Sequence, residues 1–263
     1  MAGLVAAGAT ASLGLWQLDR AAQKIALAQA IDTRAGLPPI PAQALPVLPP
    51  PGTGDADAAH RVEPLLATYL DRRIELSGQW LDEASVVLDN RQMQGRPGFY
   101  LYTPLRLRDG RVLMVQRGWW PRDARDRTRV PSPPESRGVV HFTGRITRAP
   151  GRTFSLGSGV DTGRIRQNLD VVEYGRSVGL TVQPLLIVQL DAEVGDDADA
   201  SGEQRRAATR PPGDTPELKR DWPRPAADVD KHYGYATQWF ALCALIVILY
   251  VWFQLLRPRF RPT

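Results

Sequence analysis

The run from Trp239 to Leu256 constrains this chain more than any other feature. It contains no charged residue, is rich in Leu, Ile and Val, and has aromatic residues at both borders: Tyr233, Tyr235 and Trp239 on one side, Tyr250, Trp252 and Phe253 on the other. A helix needs about 20 apolar residues to cross the hydrocarbon core of a bilayer, and Trp and Tyr gather at the two interfaces. Residues 232–256 are therefore expected to form a transmembrane helix; the competing expectation is a buried helix in a soluble core. Arg257, Arg259 and Arg261 follow at once, which places the basic tail, 257–263, in the cytoplasm.

A second uncharged run extends from Met1 to Leu18 and consists mainly of Ala, Gly and Leu. It is shorter and less apolar than the first. It continues into Gln17–Ile31, a proline-free stretch of helical character, where a signal peptide would offer a small-residue cleavage site. Residues 1–18 are expected to be a first, uncleaved transmembrane helix, with Met1 an internal start that trims a cytoplasmic lead-in. Two crossings put both termini in the cytoplasm and residues 19–231 outside; Arg20 and Lys24 on the outer side weigh against this orientation. Gly3, Ala7 and Ala11, and also Ala6, Thr10 and Gly14, follow small-x-x-x-small spacing, which lets a second helix come close. Gln17, Arg20 and Lys24 share one face of the emerging helix, where they either reach lipid headgroups or meet an anionic ligand.

Between these ends the chain has the composition of a folded domain. Of its 263 residues, 43% are hydrophobic, which excludes a wholly disordered chain, and 23% are charged, which excludes a polytopic membrane protein. The 33 Lys+Arg exceed the 28 Asp+Glu by a net +5, but the basic residues are spread along the chain as on a solvated surface and leave no nucleic-acid footprint. The single cysteine, Cys243, excludes a disulfide scaffold, a structural zinc site of paired cysteines and a C-x-x-C redox motif.

The middle region reads as β. Arg72–Trp80 alternates, Val86–Leu88 is a short apolar run, and Phe99–Leu107 and Val112–Gly118 flank Asp109-Gly110, a strong hairpin signal. Val139–Ile146 and Val182–Leu190 supply two more strands. The expected fold class is a membrane-anchored, mainly β (α+β) protein: two terminal transmembrane helices flanking a compact antiparallel sheet or small barrel. Two stretches interrupt it: a proline-rich loop over 35–60 and a polar insertion over 191–216.

Familiar catalytic and phosphate-binding signatures are missing. Gly157-Ser158-Gly159 with Gly163 lacks dinucleotide-binding spacing, and His60 and His141 read as linker and sheet residues. His232 differs. Helical spacing brings His232, Tyr235, Ala236, Trp239 and Cys243 onto one stripe at the mouth of the second span. Neutral imidazole is a good iron ligand, and an apolar wall beside a small residue suits a flat macrocycle. The alternative is an interfacial histidine bonded to headgroups or water.

These residues also carry a resemblance. Gly14-Leu15-Trp16-Gln17-Leu18-Asp19-Arg20, with Lys24, is similar to the signature that closes the first membrane helix in the Surfeit locus protein 1 family, the Surf-type assembly factors of cytochrome c oxidase. Leu88-Asp89-Asn90-Arg91, the run Gly98 to Pro104, Asp109-Gly110 and Arg117-Gly118-Trp119-Trp120-Pro121 resemble its central block in order and spacing. Gln167-Asn168 with Asp170, and His232 to Trp239, resemble its late motifs. The likeness runs from Gly14 to about Tyr250, with the two loose stretches unmatched, and fits a bacterial member.

The resemblance implies a non-enzymatic factor in the bacterial inner membrane, with a periplasmic domain, that assists maturation of subunit I of heme-copper oxidases. It implies heme a as cofactor, His232 as ligand to the heme iron, and Tyr235 and Trp239 beside it. The implied partners are oxidase subunit I, heme a synthase and the lipid bilayer. A cofactor-free scaffold for subunit I is the alternative. In the central block, Arg91 is expected to pair with Asp89 or Asp109 or to reach a propionate. Gly118, Trp119 and Pro121 are expected to end a strand as close-packing residue, core anchor and stop.

Overall fold

The computed structural model describes residues 1–48, 64, 66–123, 130–133, 138–148, 163–195, 217–222 and 229–256. The later part of the proline-rich loop, most of the polar insertion, His60, Gly157 to Gly159 and the basic tail lie outside the described residues. In chain order the elements are α1 (Ala2–Gly36), β1 (Ile40–Pro41), β2 (Arg73–Trp80), β3 (Val86–Met93), β4 (Arg96–Leu107), β5 (Val112–Pro121), β6 (Val140–Thr147), β7 (Ile165–Arg166), α2 (Val171–Ser177), β8 (Val182–Gln189), β9 (Val194–Gly195) and α3 (Val229–Val251), which ends in a π-turn, Trp252–Leu256. They fall into two units: Arg34–Trp222, and Met1–Thr33 with Pro223–Thr263.

In the larger unit, side-chain alternation produces a closed barrel. Along β2, Ile74, Leu76 and Trp80 are buried while Glu75 and Gln79 are exposed; along β6, Val140, Phe142 and Ile146 repeat the pattern. β2 pairs antiparallel with β6, β6 antiparallel with β8, β8 parallel with β5, and β5 antiparallel with β4. β4 then returns to β2 through Gly78↔Leu107 and Trp80↔Leu105, so five strands close on themselves. Closure removes the exposed edges of an open sheet. The β5–β8 pair is the parallel one in an otherwise antiparallel barrel. Ile74, Leu105, Leu113, Val115, Ile146 and Ile187 fill the interior, each contributing roughly 1.5–3 kcal/mol by leaving water. β3 adds to β4 outside the barrel, and α2 seals that side with Val171 and Tyr174 over Val182 and Leu186.

Local residue chemistry sets the connections. The Asp109-Gly110 hairpin forms as expected: Gly110 has φ +86, and Leu107 N–H closes onto the Arg111 carbonyl. A second hairpin at Gln94-Gly95, with φ 50 and 73, joins β3 to β4. It carries no clear sequence signal, because Gln rarely supplies a left-handed turn position, and β3 runs on to Met93, beyond the apolar run Val86–Leu88. α2 is also absent from the sequence expectation. Its signal is Asp170, whose carboxylate accepts from Val172 and Glu173 N–H as an N-cap.

The smaller unit contains two long helices. α1 is continuous, so the uncharged run and the helical stretch after it are one element. Among the described residues one helix, Val229–Gln254, is long and apolar enough to cross a membrane. α1, whose uncharged part is mainly Ala, Gly and Leu, does not meet that measure, so the expected pair of crossings stands on one helix by length and composition.

Positions that are not fully exposed recur along the two helices in steps of four and three: Gly3, Ala7, Thr10, Gly14, Gln17 and Ala21 on α1, with Ala11 beside them, and His232, Ala236, Trp239, Cys243, Ile246 and Tyr250 on α3. That spacing is the seam of paired helices. A Cβ at Gly14 would lie 2.7 Å from the Phe240 ring and one at Gly3 3.0 Å from the Tyr250 ring. Cys243 Sγ donates to the Ala7 carbonyl at 3.3 Å.

Candidate functional site

Gln17 lies at the inner seam of α1, three residues after Gly14, and His232 begins the matching seam of α3. Their side chains meet, with His232 Nδ1 2.7 Å from Gln17 Oε1. An amide oxygen accepts only, so in this contact Nδ1 is the donor. Ala236 is buried and Trp239 half-buried on the stripe below His232, whereas Tyr235 is 52% exposed and stands off the seam. Of the residues singled out on α1, Trp16 is exposed, and Arg20 donates to Gln23 at 3.0 Å within an exposed Asp19–Gln23–Arg20 chain. The structure thus brings together Gln17, His232, Ala236 and Trp239, and leaves Trp16, Arg20 and Tyr235 facing outward.

The central block occupies the barrel, where its residues have packing roles. Gly98 is required by crowding: a Cβ there would lie 2.1 Å from the Trp120 carbonyl oxygen and 2.4 Å from the Trp119 ring. Trp119 is buried, donates from Nε1 to the Arg91 carbonyl at 2.9 Å, and exchanges backbone bonds with Lys219. A Cβ on Gly118 would meet Leu218 at 2.7 Å, so residues 217–222 lie directly on β5 there. Pro121 ends β5 as expected. Pro104 sits where β4 passes from β3 to β2, a point at which no ladder bond needs its missing N–H. Asn90 has φ 57 inside a bulge of β3, a conformation that Asn tolerates better than most residues.

Asp109 is held by Arg111 at 2.6 Å and Asp89 by Arg122, while Arg91 Nη2 donates to the Gln167 carbonyl at 2.7 Å. The Arg111 hydrogen bond keeps the Asp109 carboxyl below its ordinary pKa. Burial pushes the Tyr102 phenol up, and the charge of Arg91 opposes it in part.

Among the described residues of the barrel unit, Arg117 is the least exposed charged side chain, at 1%. It pairs with Asp82 at 3.1 Å and Glu193 at 3.0 Å and lies 4.4 Å over the Trp80 ring, whose Nε1 donates to Glu193 at 2.8 Å. Sequence reading misses Asp82, Trp80 and Glu193 as its partners. An arginine inside an apolar strand announces a buried counter-charge, but Glu193 lies far along the chain and nothing local names it.

Comparison with known proteins places both regions in one family. The model of the SURF1 family matches residues 4–244. This chain belongs to the SURF1 family. A SURF1-like protein of Dictyostelium discoideum is 32% identical to it over 76 residues, 29% of this chain and 28% of that protein, so the chain spans less than a third of the relative's length in that alignment. The SURF1 match takes in Gln17, the whole barrel and His232 through Trp239, which agrees with the resemblance of the ordered motifs.

Proposed function

We propose that this chain is an assembly factor for heme-copper cytochrome c oxidase that holds or passes on heme a while subunit I matures. SURF1 proteins are known generally as oxidase assembly factors, and the finer role rests on His232. The observation that carries it is the 2.7 Å contact between Nδ1 and Gln17. Metal-bound histidines usually donate their second ring N–H to a neighbouring acceptor, which fixes the ring and strengthens the other nitrogen as a donor. No described residue hydrogen-bonds Nε2 of His232.

The donor set fits heme iron: an imidazole at the head of an apolar helix, with Trp239 two turns on and a small Ala236 between. Bound heme supplies the iron centre that the imidazole ligates. The chain's own contribution is to hold the ring, exclude water with the aromatic side chains of α3, and keep the pair of helices together. Tyr235 lines the outward side. In this proposal the protein crosses the inner membrane twice, with both termini cytoplasmic and the barrel periplasmic. Oxidase subunit I and heme a synthase are its partners, and it performs no catalysis of its own.

The test is complementation of a strain lacking this gene. Wild type should restore heme a to subunit I, and the His232→Ala variant should leave subunit I present but poor in heme a. Full heme a with His232→Ala would overturn the cofactor role and favour a scaffold that grips subunit I without holding heme. A phosphatase reporter inserted after Gly110 should be active; an inactive reporter in a stable fusion would refute the periplasmic placement.

A further inference from the structure

We infer that Gln17 is a positioning residue for His232, setting which ring nitrogen is presented at the head of α3; this deepens, and rests on, the heme-holding role above. The two side chains are 215 positions apart in sequence and come from different helices. Their contact at 2.7 Å is short for a neutral hydrogen bond to nitrogen. Neutral histidine free in water favours the proton on Nε2. A fixed acceptor at Nδ1 reverses that preference and turns the Nε2 lone pair outward, and it also fixes the ring plane.

Other features of the site allow Gln17 this role. Gln17 occupies the seam of α1, where its neighbours Gly14 and Ala21 are buried and small, so the amide can lie across the helix interface without competition from bulk. Gly14 lets Phe240 approach α1 closely, which brings the start of α3 within reach of a glutamine side chain. An acceptor in an apolar surrounding is poorly satisfied by water, so the amide–imidazole bond also ties the two helices together. The donor nitrogen is therefore presented only when both helices are paired. A single helix carries the imidazole but not its orientation.

The experiment is nitrogen-15 NMR of the full chain in detergent, with labelled histidine and no heme, at alkaline pH where imidazole is neutral. His60→Gln and His141→Gln substitutions isolate the His232 signals. Wild type should show a protonated Nδ1 and a bare Nε2. Gln17→Leu should revert to the Nε2–H form, and Gln17→Glu, which keeps an acceptor at the same reach, should restore the Nδ1–H form. An Nε2–H ring in wild type would mean that the amide presents its NH₂ instead, and would overturn the inference, as would an unchanged ring in Gln17→Leu.

The second readout is the spectrum of protein made alongside heme a. Gln17→Leu should shift the heme bands and weaken retention by about tenfold, within the range seen when outer-shell partners of a metal ligand are removed. The two ideas fail separately. If wild type acquires no heme yet its ring depends on Gln17, the cofactor role falls and the positioning stands; if the Gln17→Leu variant binds heme identically to wild type, the reverse holds.

Discussion

In the barrel the large residues Ile74, Leu105 and Ile187 are buried and the outward positions of β2, Glu75 and Gln79, are polar. In the helix pair the arrangement is inverted. Gly3, Ala7 and Gly14 form the seam, while Leu245, Ile248 and Leu249 are 50%, 63% and 46% exposed. Water drives apolar bulk inward, so a domain it surrounds is built on large buried side chains. Lipid gives no such drive, and helices within it hold together by close approach of small residues and by polar bonds. The barrel therefore reads as built for water and α3, with its large apolar side chains exposed, as built for lipid, and the two regions should respond to different substitutions.

The largest effect is expected in the barrel. Arg117→Ala removes the guanidinium paired with the buried Glu193 carboxylate and should cost roughly 3–5 kcal/mol. Urea unfolding of the full chain in detergent, followed through the barrel tryptophans, should show the loss, whereas a change under about 1 kcal/mol would mean that water already serves Glu193. In the helix pair, Ala7→Cys beside native Cys243 should form a disulfide on mild oxidation, since the Cys243 sulfur lies 3.3 Å from the Ala7 carbonyl. Adding Gly14→Leu, which pushes against Phe240, should suppress that crosslink several-fold while leaving the barrel's urea midpoint in place. A shifted midpoint with an intact crosslink would break the division between the regions.

Smaller effects probe single positions. Asn90→Val should destabilise the barrel by about 1–2 kcal/mol, because a β-branched residue resists the left-handed backbone there, while Asn90→Gly should be nearly neutral. Asp109 gives the smallest and most specific signal. Arg111 depresses its pKa, so its stabilisation is complete above the ordinary carboxylate range and is lost as pH falls through the depressed value. Urea midpoints taken down through that acidic window should decline less steeply in Asp109→Asn than in wild type; parallel slopes would contradict the pairing.

Much of the barrel is legible in the sequence because alternation states which face of a strand is buried. Arg73–Trp80 and Val140–Thr147 are found within a residue or two of the expected limits. What alternation cannot state is which strands become neighbours, so closure through Gly78 and Leu107 and the parallel β5–β8 pair are beyond its reach. Turns are legible only where residues announce them: Asp109-Gly110 does, and Gln94-Gly95 does not. At the candidate site, His232 is readable from its place at the head of an apolar helix. Gln17 reads from sequence as sharing a helix face with Arg20 and Lys24, turned to lipid headgroups or to an anionic ligand. Its actual partner depends on the pairing of α1 with α3, which small-residue spacing suggests without setting the register. The packed seam takes in Gly3, Ala7, Thr10, Ala11 and Gly14, so it draws on both expected small-x-x-x-small triplets.

The central claim is that His232 presents Nε2 to heme iron at the head of α3. Its most direct test is the absorption spectrum of the full-length protein purified from cells that make heme a, wild type beside His232→Ala. The account predicts a low-spin heme spectrum in wild type that is lost or converted in His232→Ala, with the urea midpoint of the barrel unchanged. Wild type that emerges without heme, or a spectrum identical in the two proteins, would contradict it.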